Sequence, residues 1–171
     1  GEEIGDGTGA SIIINSTGGT TFESTVESQS GRTVAANAGT VTLKGDTTIT
    51  TNNTTTTFDN ATTILDGLTF TSAGAVTIGT TGGTDQLDLT TAAVTIDTAQ
   101  AFIAHALVDG RQDLTLAGAG AKTFNAAVGV KAGEEIGDGT GASIIINSTG
   151  GTTFESTVES QSGRTVAANA G

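Results

Sequence analysis

The sequence predicts an all-β fold, a parallel β-solenoid (β-helix) in which the chain winds into coils that pair as parallel strands. Three observations predict it. First, short segments alternate apolar residues with small polar ones. Second, turns rich in Gly, Asn, Asp and Thr separate these segments. Third, residues 1–39 recur unchanged as residues 133–171. Alternate side chains of a strand point to opposite faces, so each segment has one apolar face to bury. Repeated units bury such faces by stacking on one another.

The repeat sets the domain organisation. Residues 1–132 form one full tandem repeat of the solenoid, and residues 133–171 are the start of the next, identical repeat. Perfect identity indicates either a very recent duplication or a window cut from a longer array. We therefore expect further copies of the same repeat to follow end to end, in one giant chain or as a homopolymer.

The predicted strands follow one another at fairly regular intervals. Apolar pairs begin at Ile12, Val41, Leu68, Val94, Leu114 and Ile144. The last of these starts is the copy of the first, so the five intervals between them fill one repeat. The sequence therefore predicts about five coils per repeat, each of roughly 26 residues, within the range typical of solenoids.

Two of these units align without a gap. Residues 113–130 match residues 11–28 in an apolar pair, a small-residue turn, a Thr-Phe dipeptide and a later Val. The shared apolar positions are Leu114/Ile12, Leu116/Ile14, Phe124/Phe22 and Val128/Val26. A third unit fits with a shorter turn and brings Phe102 into the Phe column. We therefore predict strand in residues 98–110, although Ala-rich content there also permits a helix.

Tandem immunoglobulin-like β-sandwiches are the alternative fold. Such domains usually carry a core Trp or Tyr, and this chain has neither. The chain also has no Pro, which suits strands that are paired on both sides. These features favour the solenoid.

Composition excludes several classes of function. A net charge of −12 opposes binding to nucleic acid, because phosphates repel an acidic protein. There is no Cys, and hence neither a disulfide framework nor thiol chemistry. No apolar run reaches the length that a membrane-spanning helix needs, so we predict no membrane-spanning segment.

No segment has the pattern of an active site. The stretch from Ala117 to Phe124 contains a Lys-Thr dipeptide but lacks the glycines that a phosphate-binding loop needs at fixed distances before it. His105 is the only histidine, and no GxSxG nucleophile elbow is present. We therefore predict that the chain is not an enzyme, with no catalytic, cofactor-binding or metal residues assigned. A hydrolase on a β-helix scaffold remains a minor alternative, disfavoured by the lack of Trp and Tyr for sugar stacking.

The acidic segment GEEIGDGTG, residues 133–141, is the one candidate for a ligand. Glu134, Glu135 and Asp138 are oxygen donors of the kind that calcium prefers. The segment lacks both the EF-hand spacing and the β-roll nonapeptide, so a solvated acidic turn is the simpler interpretation. We expect no cofactor, with calcium as the only candidate ion.

Threonine makes up about a fifth of the chain, and its outward positions form a second pattern. Thr42, Thr69, Thr95 and Thr115 lie between inward residues and are predicted to form one exposed ladder, interrupted by Ile13 and Ile145. Such an array could order water as ice-binding solenoids do, but cross-strand side-chain contacts explain it more simply. N-glycosylation patterns occur at Asn15, Asn52, Asn53, Asn60 and Asn147.

The phrases TFNAAV, GTVTLKGDTTIT and AGAVTIGTTGG resemble those of large bacterial surface proteins built from β-strand repeats. These are filamentous-haemagglutinin-like proteins, giant adhesins and autotransporter passenger domains. The resemblance implies a secreted, right-handed parallel β-helix at the cell surface, with no enzymatic site in the repeats. We expect a structural extracellular filament or stalk. The alternative is a repeat-built adhesin that binds glycans, surfaces or calcium.

Overall fold

A computed structural model describes residues 3–6 and 8–166 of the chain. These residues form nineteen short strands and no helix. The strands build three sheets, and every strand pair between coils is parallel. The described part of the chain is thus a β-solenoid of about seven coils. The immunoglobulin-like alternative is excluded, because sandwich domains pair their strands antiparallel.

Sheet 1 has seven strands, one from each coil, in the order of the chain. They are β1 (Ile12–Ile14), β4 (Arg32–Val34), β7 (Thr56–Phe58), β10 (Val76–Ile78), β13 (Phe102–Ala104), β16 (Lys122–Phe124) and β18 (Thr152–Phe154).

Sheet 2 has five strands, and single bridges from Val108 to Val128 and on to Val158 extend it by two coils. Its strands are β2 (Thr20–Phe22), β5 (Val41–Leu43), β8 (Thr62–Asp66), β11 (Gln86–Thr90) and β14 (Leu107–Asp109). Sheet 3 again has seven strands. They are β3 (Val26–Ser28), β6 (Thr47–Ile49), β9 (Thr69–Ser72), β12 (Val94–Thr98), β15 (Leu114–Ala117), β17 (Ile144–Ile146) and β19 (Arg164–Val166).

The coils differ in length, and the repeat contains more of them than the sequence predicts. The coil from β1 to β4 is short, whereas the coil from β16 to β18, which contains the boundary between the copies, is the longest on sheet 1. From β1 the chain makes five coils to β16, and two further faces bring it to β17, the copy of β1. One repeat therefore makes five and two-thirds coils.

The shortfall in the predicted number has a simple cause. The segments at Ile12, Val41 and Leu68 lie on sheets 1, 2 and 3, so each of the first two intervals covers a coil and a third. From β9 onward the predicted segments all lie on sheet 3, and each of the last three intervals is a single coil. Segments on different faces look alike because all three faces bury the same apolar pattern.

Rows of inward side chains, stacked coil upon coil, fill the core. One row on sheet 1 consists of Ile14, Val34, Phe58, Ile78, Ala104, Phe124 and Phe154. The rings of Phe124 and Phe154 stack at 5.0 Å, as expected for in-register aromatic residues in neighbouring coils. The prediction that Phe102 shares this row is wrong, because Phe102 pairs with Lys122 in the adjacent inward row.

Residues 98–110 contain β13 and β14, so the prediction of strand is confirmed and the helix alternative is wrong. Ile103 points outward between buried Phe102 and Ala104, the alternation of a strand with one buried face.

Candidate functional site at the repeat junction

The chain leaves the regular ladder where one repeat meets the next. Val128 and Ile136 bridge to Val158 and Ser160 of the following coil, so seven residues project where that coil has only Glu159. We call residues 129–135 the junction loop. Its base is fixed by hydrogen bonds from Gly129 N to the Val108 carbonyl (2.6 Å) and from Gly110 N to the Glu134 carbonyl (3.0 Å).

Two carboxylates lie beneath this loop. Asp88 and Asp109 are register partners in neighbouring coils of sheet 2, where like charges oppose each other. Burial raises the pKa of Asp88, and the charges of Glu134 and Asp109 raise it further, while Lys131 lowers it. One oxygen of Asp88, Oδ1, is buried without a hydrogen-bond partner. The pair is therefore electrostatically unfavourable without a nearby cation.

Lys131 supplies that cation. Its backbone N–H donates to Asp109 Oδ1 (3.1 Å), and its ammonium forms an ion pair with Glu134 Oε1 (2.8 Å). The hydrogen bond to Glu134 raises the pKa of Lys131, and the charges of Glu134, Asp88 and Asp109 raise it further. The backbone hydrogen bond of Lys131 to Asp109, and the attraction of its ammonium for Asp88 and Asp109, thus hold the junction loop against sheet 2.

A groove of about 430 Å³ opens beside the junction loop. Its walls carry both signs of charge and several neutral hydrogen-bonding groups. They include Asp88, Thr90, Thr91, Arg111, Gln112 and Lys131. Thr91 has a φ of 67°, the one described residue other than Gly in the left-handed region, where β-branched side chains are strained. Backbone strain of this kind is concentrated at turns and functional sites.

The three predicted calcium ligands of the second copy do not converge. Glu134 pairs with Lys131, Glu135 accepts a weak bond from Gly133 N (3.4 Å), and Asp138 accepts from both N and Oγ1 of Thr140 (2.7 Å). Ile136, between them, is fully buried. No group of three potential metal-ligating side chains occurs among residues 3–6 and 8–166. Gly1, Glu2 and Gly7 of the first copy lie outside the described residues.

Two cations lie inside the solenoid, and sequence reasoning missed both. Lys122 and Arg32 are each 1% exposed and belong to one inward row of sheet 1. Lys122 Nζ donates to the Gly120 carbonyl (2.6 Å), and burial lowers the pKa of Lys122 to about 8. Arg32 donates to Ser28 Oγ and the Val26 carbonyl, its Nη1 has no partner, and burial lowers the pKa of Arg32 to about 10.

The predicted threonine ladder is divided between two sheets. Thr69, Thr95 and Thr115 stack on sheet 3, as predicted, whereas Thr42 lies on sheet 2. A longer outward column on sheet 1 consists of Ile13, Thr33, Thr57, Thr77, Ile103, Thr123 and Thr153. No single face of the described coils is uniformly threonine.

The remaining candidates are His105 and the asparagines of the glycosylation patterns, and His105 lies beside two neutral side chains. His105 Nδ1 lies 2.8 Å from Asn125 Nδ2, and Nε2 lies 3.4 Å from Thr81 Oγ1. Asn60 is buried and bonded to backbone carbonyls, so it is inaccessible to a glycosyltransferase in the folded protein. The other four glycosylation patterns have exposed Asn residues.

Comparison with protein-family models, curated proteins and solved structures gives no match to this chain. Among the residues that the structure describes, none belongs to a helix of the length and apolarity required to cross a membrane. The fold and the junction geometry are therefore the basis for a functional proposal.

Proposed function

We propose that this chain is a segment of a structural extracellular filament or stalk built from tandem β-solenoid repeats. The observation that supports this proposal most directly is that parallel pairing continues through the boundary between residues 132 and 133. β17 pairs with β15 and β18 pairs with β16, so strands of the second copy stack directly on the first. Each further copy can add in the same way.

Stacking of this kind suits a protein whose role depends on length and stiffness more than one whose role depends on a single binding site. Every inner coil pairs its backbone with the coils on both sides, and the fully buried residues Leu114 and Ile144 are register partners across the boundary. In such quasi-one-dimensional proteins stability grows with each added interface. The high negative charge opposes lateral clumping of neighbouring filaments.

The test is a series of concatemers with one, two and four repeats. We expect thin rods in electron micrographs that lengthen by about 27 Å per repeat, since coils rise by ~4.8 Å. The thermal midpoint should rise with repeat number. Beads on a string, or a length independent of repeat number, would contradict the proposal.

Adjacent isoleucines at the boundary provide a matched control. Ile144 is fully buried and Ile145 points outward in the same strand. Ile144→Asp should interrupt the rod at the junction and lower the midpoint strongly, because it places an unpaired carboxylate in the core. Ile145→Asp should leave rod length unchanged. Equal effects of the two substitutions would count against continuous stacking.

The extracellular location is a separate part of the proposal. A Cys-free chain rich in Thr, Gly and Ala, and its resemblance to bacterial surface repeats, support it. Antibodies raised against this chain should label intact cells of the source organism without permeabilisation. Labelling that requires permeabilised cells would contradict the location and leave the filament proposal standing.

A second candidate function is adhesion through the groove at the junction loop. Its mixture of Arg111, Gln112 and Asp88 offers the donors and acceptors that sugar hydroxyls require. A glycan array should then show binding that Gln112→Ala weakens and Gln100→Ala, on an exposed turn, does not. Absence of any glycan binding would leave the filament as the remaining proposal.

A further inference from the structure

Identical segments of this chain occupy different faces of the solenoid. Residues 12–14 form β1 on sheet 1, whereas the same three isoleucines at 144–146 form β17 on sheet 3. The two segments have the same partner within their own repeat, since Ile12 pairs with Arg32 and Ile144 pairs with Arg164. The segment has therefore rotated about the axis together with its neighbour.

The remaining strands of the copies show the same rotation. Thr20–Phe22 lies on sheet 2, and its copy Thr152–Phe154 lies on sheet 1. Val26 lies on sheet 3, and its copy Val158 bridges to Val128 on sheet 2. Every element moves by one face in the same sense, which distinguishes a rotation of the whole repeat from a local slip of one strand.

The acidic turn and the segment that follows it keep the same local structure in both copies despite this rotation. Ser11 Oγ accepts a bond from Ser30 N at 2.9 Å, and Ser143 Oγ accepts from Ser162 N at 3.0 Å. Gly5 and Gly137 both have positive φ, 105° and 116°. The acidic turn is also the same, because Asp6 accepts from Thr8 N and Asp138 from Thr140 N. The fold of this segment is thus set by its own sequence and not by the face that it occupies.

The rotation follows from the number of coils in a repeat. Five and two-thirds coils leave each repeat one-third of a turn short of a whole number, so the next repeat begins on a different face. Three repeats then span seventeen whole coils, three times five and two-thirds, and restore the original face.

We infer that the repeat is out of phase with the solenoid by one third of a turn, so that successive repeats present the acidic turn and junction loop on three faces in succession. The phase difference is a property of this chain, whereas the display of successive acidic turns and junction loops along a filament rests on the proposed function. Such a display exposes copies of the loop on all sides of the fibre. It fits partners that surround the fibre, such as neighbouring copies of the same solenoid, and it excludes one continuous binding stripe.

Cross-linking of paired cysteines tests the phase in this chain, which has no native Cys. In the rotated arrangement Ile145 stacks on Thr115 of sheet 3. A repeat in phase with the coils would instead place Ile145 on sheet 1, above Thr123. We compare Thr115→Cys/Ile145→Cys with Thr123→Cys/Ile145→Cys, using a short bismaleimide that tolerates imperfect geometry.

A positive control comes from the first repeat, where Ile13 and Thr33 are outward neighbours in either arrangement. The Ile13→Cys/Thr33→Cys variant should gain the mass of one linker with no free thiol remaining. All substituted positions face outward, so circular dichroism should be unchanged.

The expected result is an intramolecular cross-link in the Thr115/Ile145 variant and none above background in the Thr123/Ile145 variant, mapped by peptide mass spectrometry. The reverse pattern would overturn the inference, as would a cross-link in the control alone. None of these outcomes depends on filament formation, so failure of the phase and failure of the proposed function are distinguishable. In a filament, antibody fragments against the junction loop should then decorate all sides in electron micrographs.

Discussion

Asp88 and Asp109 stack directly on one another in neighbouring coils of sheet 2, with Lys131 of the junction loop beside them. Both carboxylates belong to an outward column, since Leu87 and its partner Val108 occupy the inward row beside them. It lies where the two repeats meet, and Lys131 ties the projecting loop to it. The charge balance of this cluster should therefore influence the stability of the junction.

Removing one charge of the pair should stabilise the protein. We expect Asp88→Asn to raise the free energy of unfolding at pH 7 by about 0.5–1 kcal/mol, because the folded state favours the neutral form of this carboxyl. The gain should be smaller at pH 4 than at pH 7, because the raised pKa of Asp88 lets the wild-type carboxyl take up a proton as the pH falls. Urea titrations at both pH values measure it, with Asp59→Asn as the control. A gain independent of pH would contradict the electrostatic cause.

The buried amine of Lys122 should make stability depend on alkaline pH. Its pKa falls from 10.5 to about 8 on folding, so the unfolded state binds more protons between these values and stability rises with pH through this window. We expect Lys122→Met to be more stable than the wild type at pH 7, by on the order of 2–3 kcal/mol, and to lose that advantage near pH 10.

In Lys122→Met, the groups that Lys122 contacts in the wild type keep another hydrogen bond, because Ser148 Oγ still donates to the Gly120 carbonyl. Exposed Lys44, which pairs with Glu23, is the control position. Thermal melts from pH 7 to 10 compare Lys122→Met with Lys44→Met. A constant difference between wild type and Lys122→Met across this range would show that Lys122 is not the titrating group.

The phenylalanine stack should dominate the stability of the later coils. Phe124 is fully buried between Phe102 and Phe154, whereas Phe22, at the aligned position of the first coil, lies on sheet 2 and is only partly buried. We expect Phe124→Ala to cost about 3–5 kcal/mol and Phe22→Ala clearly less. Chemical denaturation of both variants measures the difference. Equal losses would contradict the burial assigned to these two rings.

The corner at Gly110 should not tolerate a side chain. Its φ is 129°, and a Cβ atom would lie 2.1 Å from the Leu89 carbonyl oxygen. Gly82 also has a positive φ, 74°, but a Cβ atom there meets nothing within 4 Å. Gly110→Ala should therefore lower the thermal midpoint more than Gly82→Ala does. Equal shifts would mean that backbone strain alone, without the clash, determines the cost.

Calcium removal should leave the melting midpoint unchanged if the acidic turn is only a solvated surface. Asp138 is already bonded to Thr140, and Glu134 to Lys131, so neither carboxylate is preorganised for an ion. Melting curves with a chelator and with added calcium provide the comparison. A midpoint that rises with calcium, and loses this response in Asp138→Asn, would instead favour the calcium-binding adhesin.

Much of the fold could be predicted from local patterns. Strand positions such as β5, β12 and β15 follow from alternation of apolar and polar residues, which depends only on neighbouring residues. The same rule could have revealed the internal cations. Lys122 stands two positions before inward Phe124, and Arg32 two before inward Val34, so alternation places both side chains inside. Their charge made them look like surface residues.

The junction site could not be predicted in this way. Glu134, Glu135 and Asp138 are close in sequence, but each acquires a different partner from the folded surroundings. Asp88, by contrast, is far from Glu134 along the chain and lies on the same groove. Only the stacking of three successive coils brings these groups together.

The sequence by itself determined the strands, the inward and outward residues and the tandem repeat, because each of these depends on short-range alternation or simple identity. The tertiary structure alone decided which face each strand occupies. That assignment depends on the summed length of every preceding coil, including corners and a seven-residue excursion at the junction. Segments on the three faces have the same apolar pattern, so identical residues fold alike on any of them.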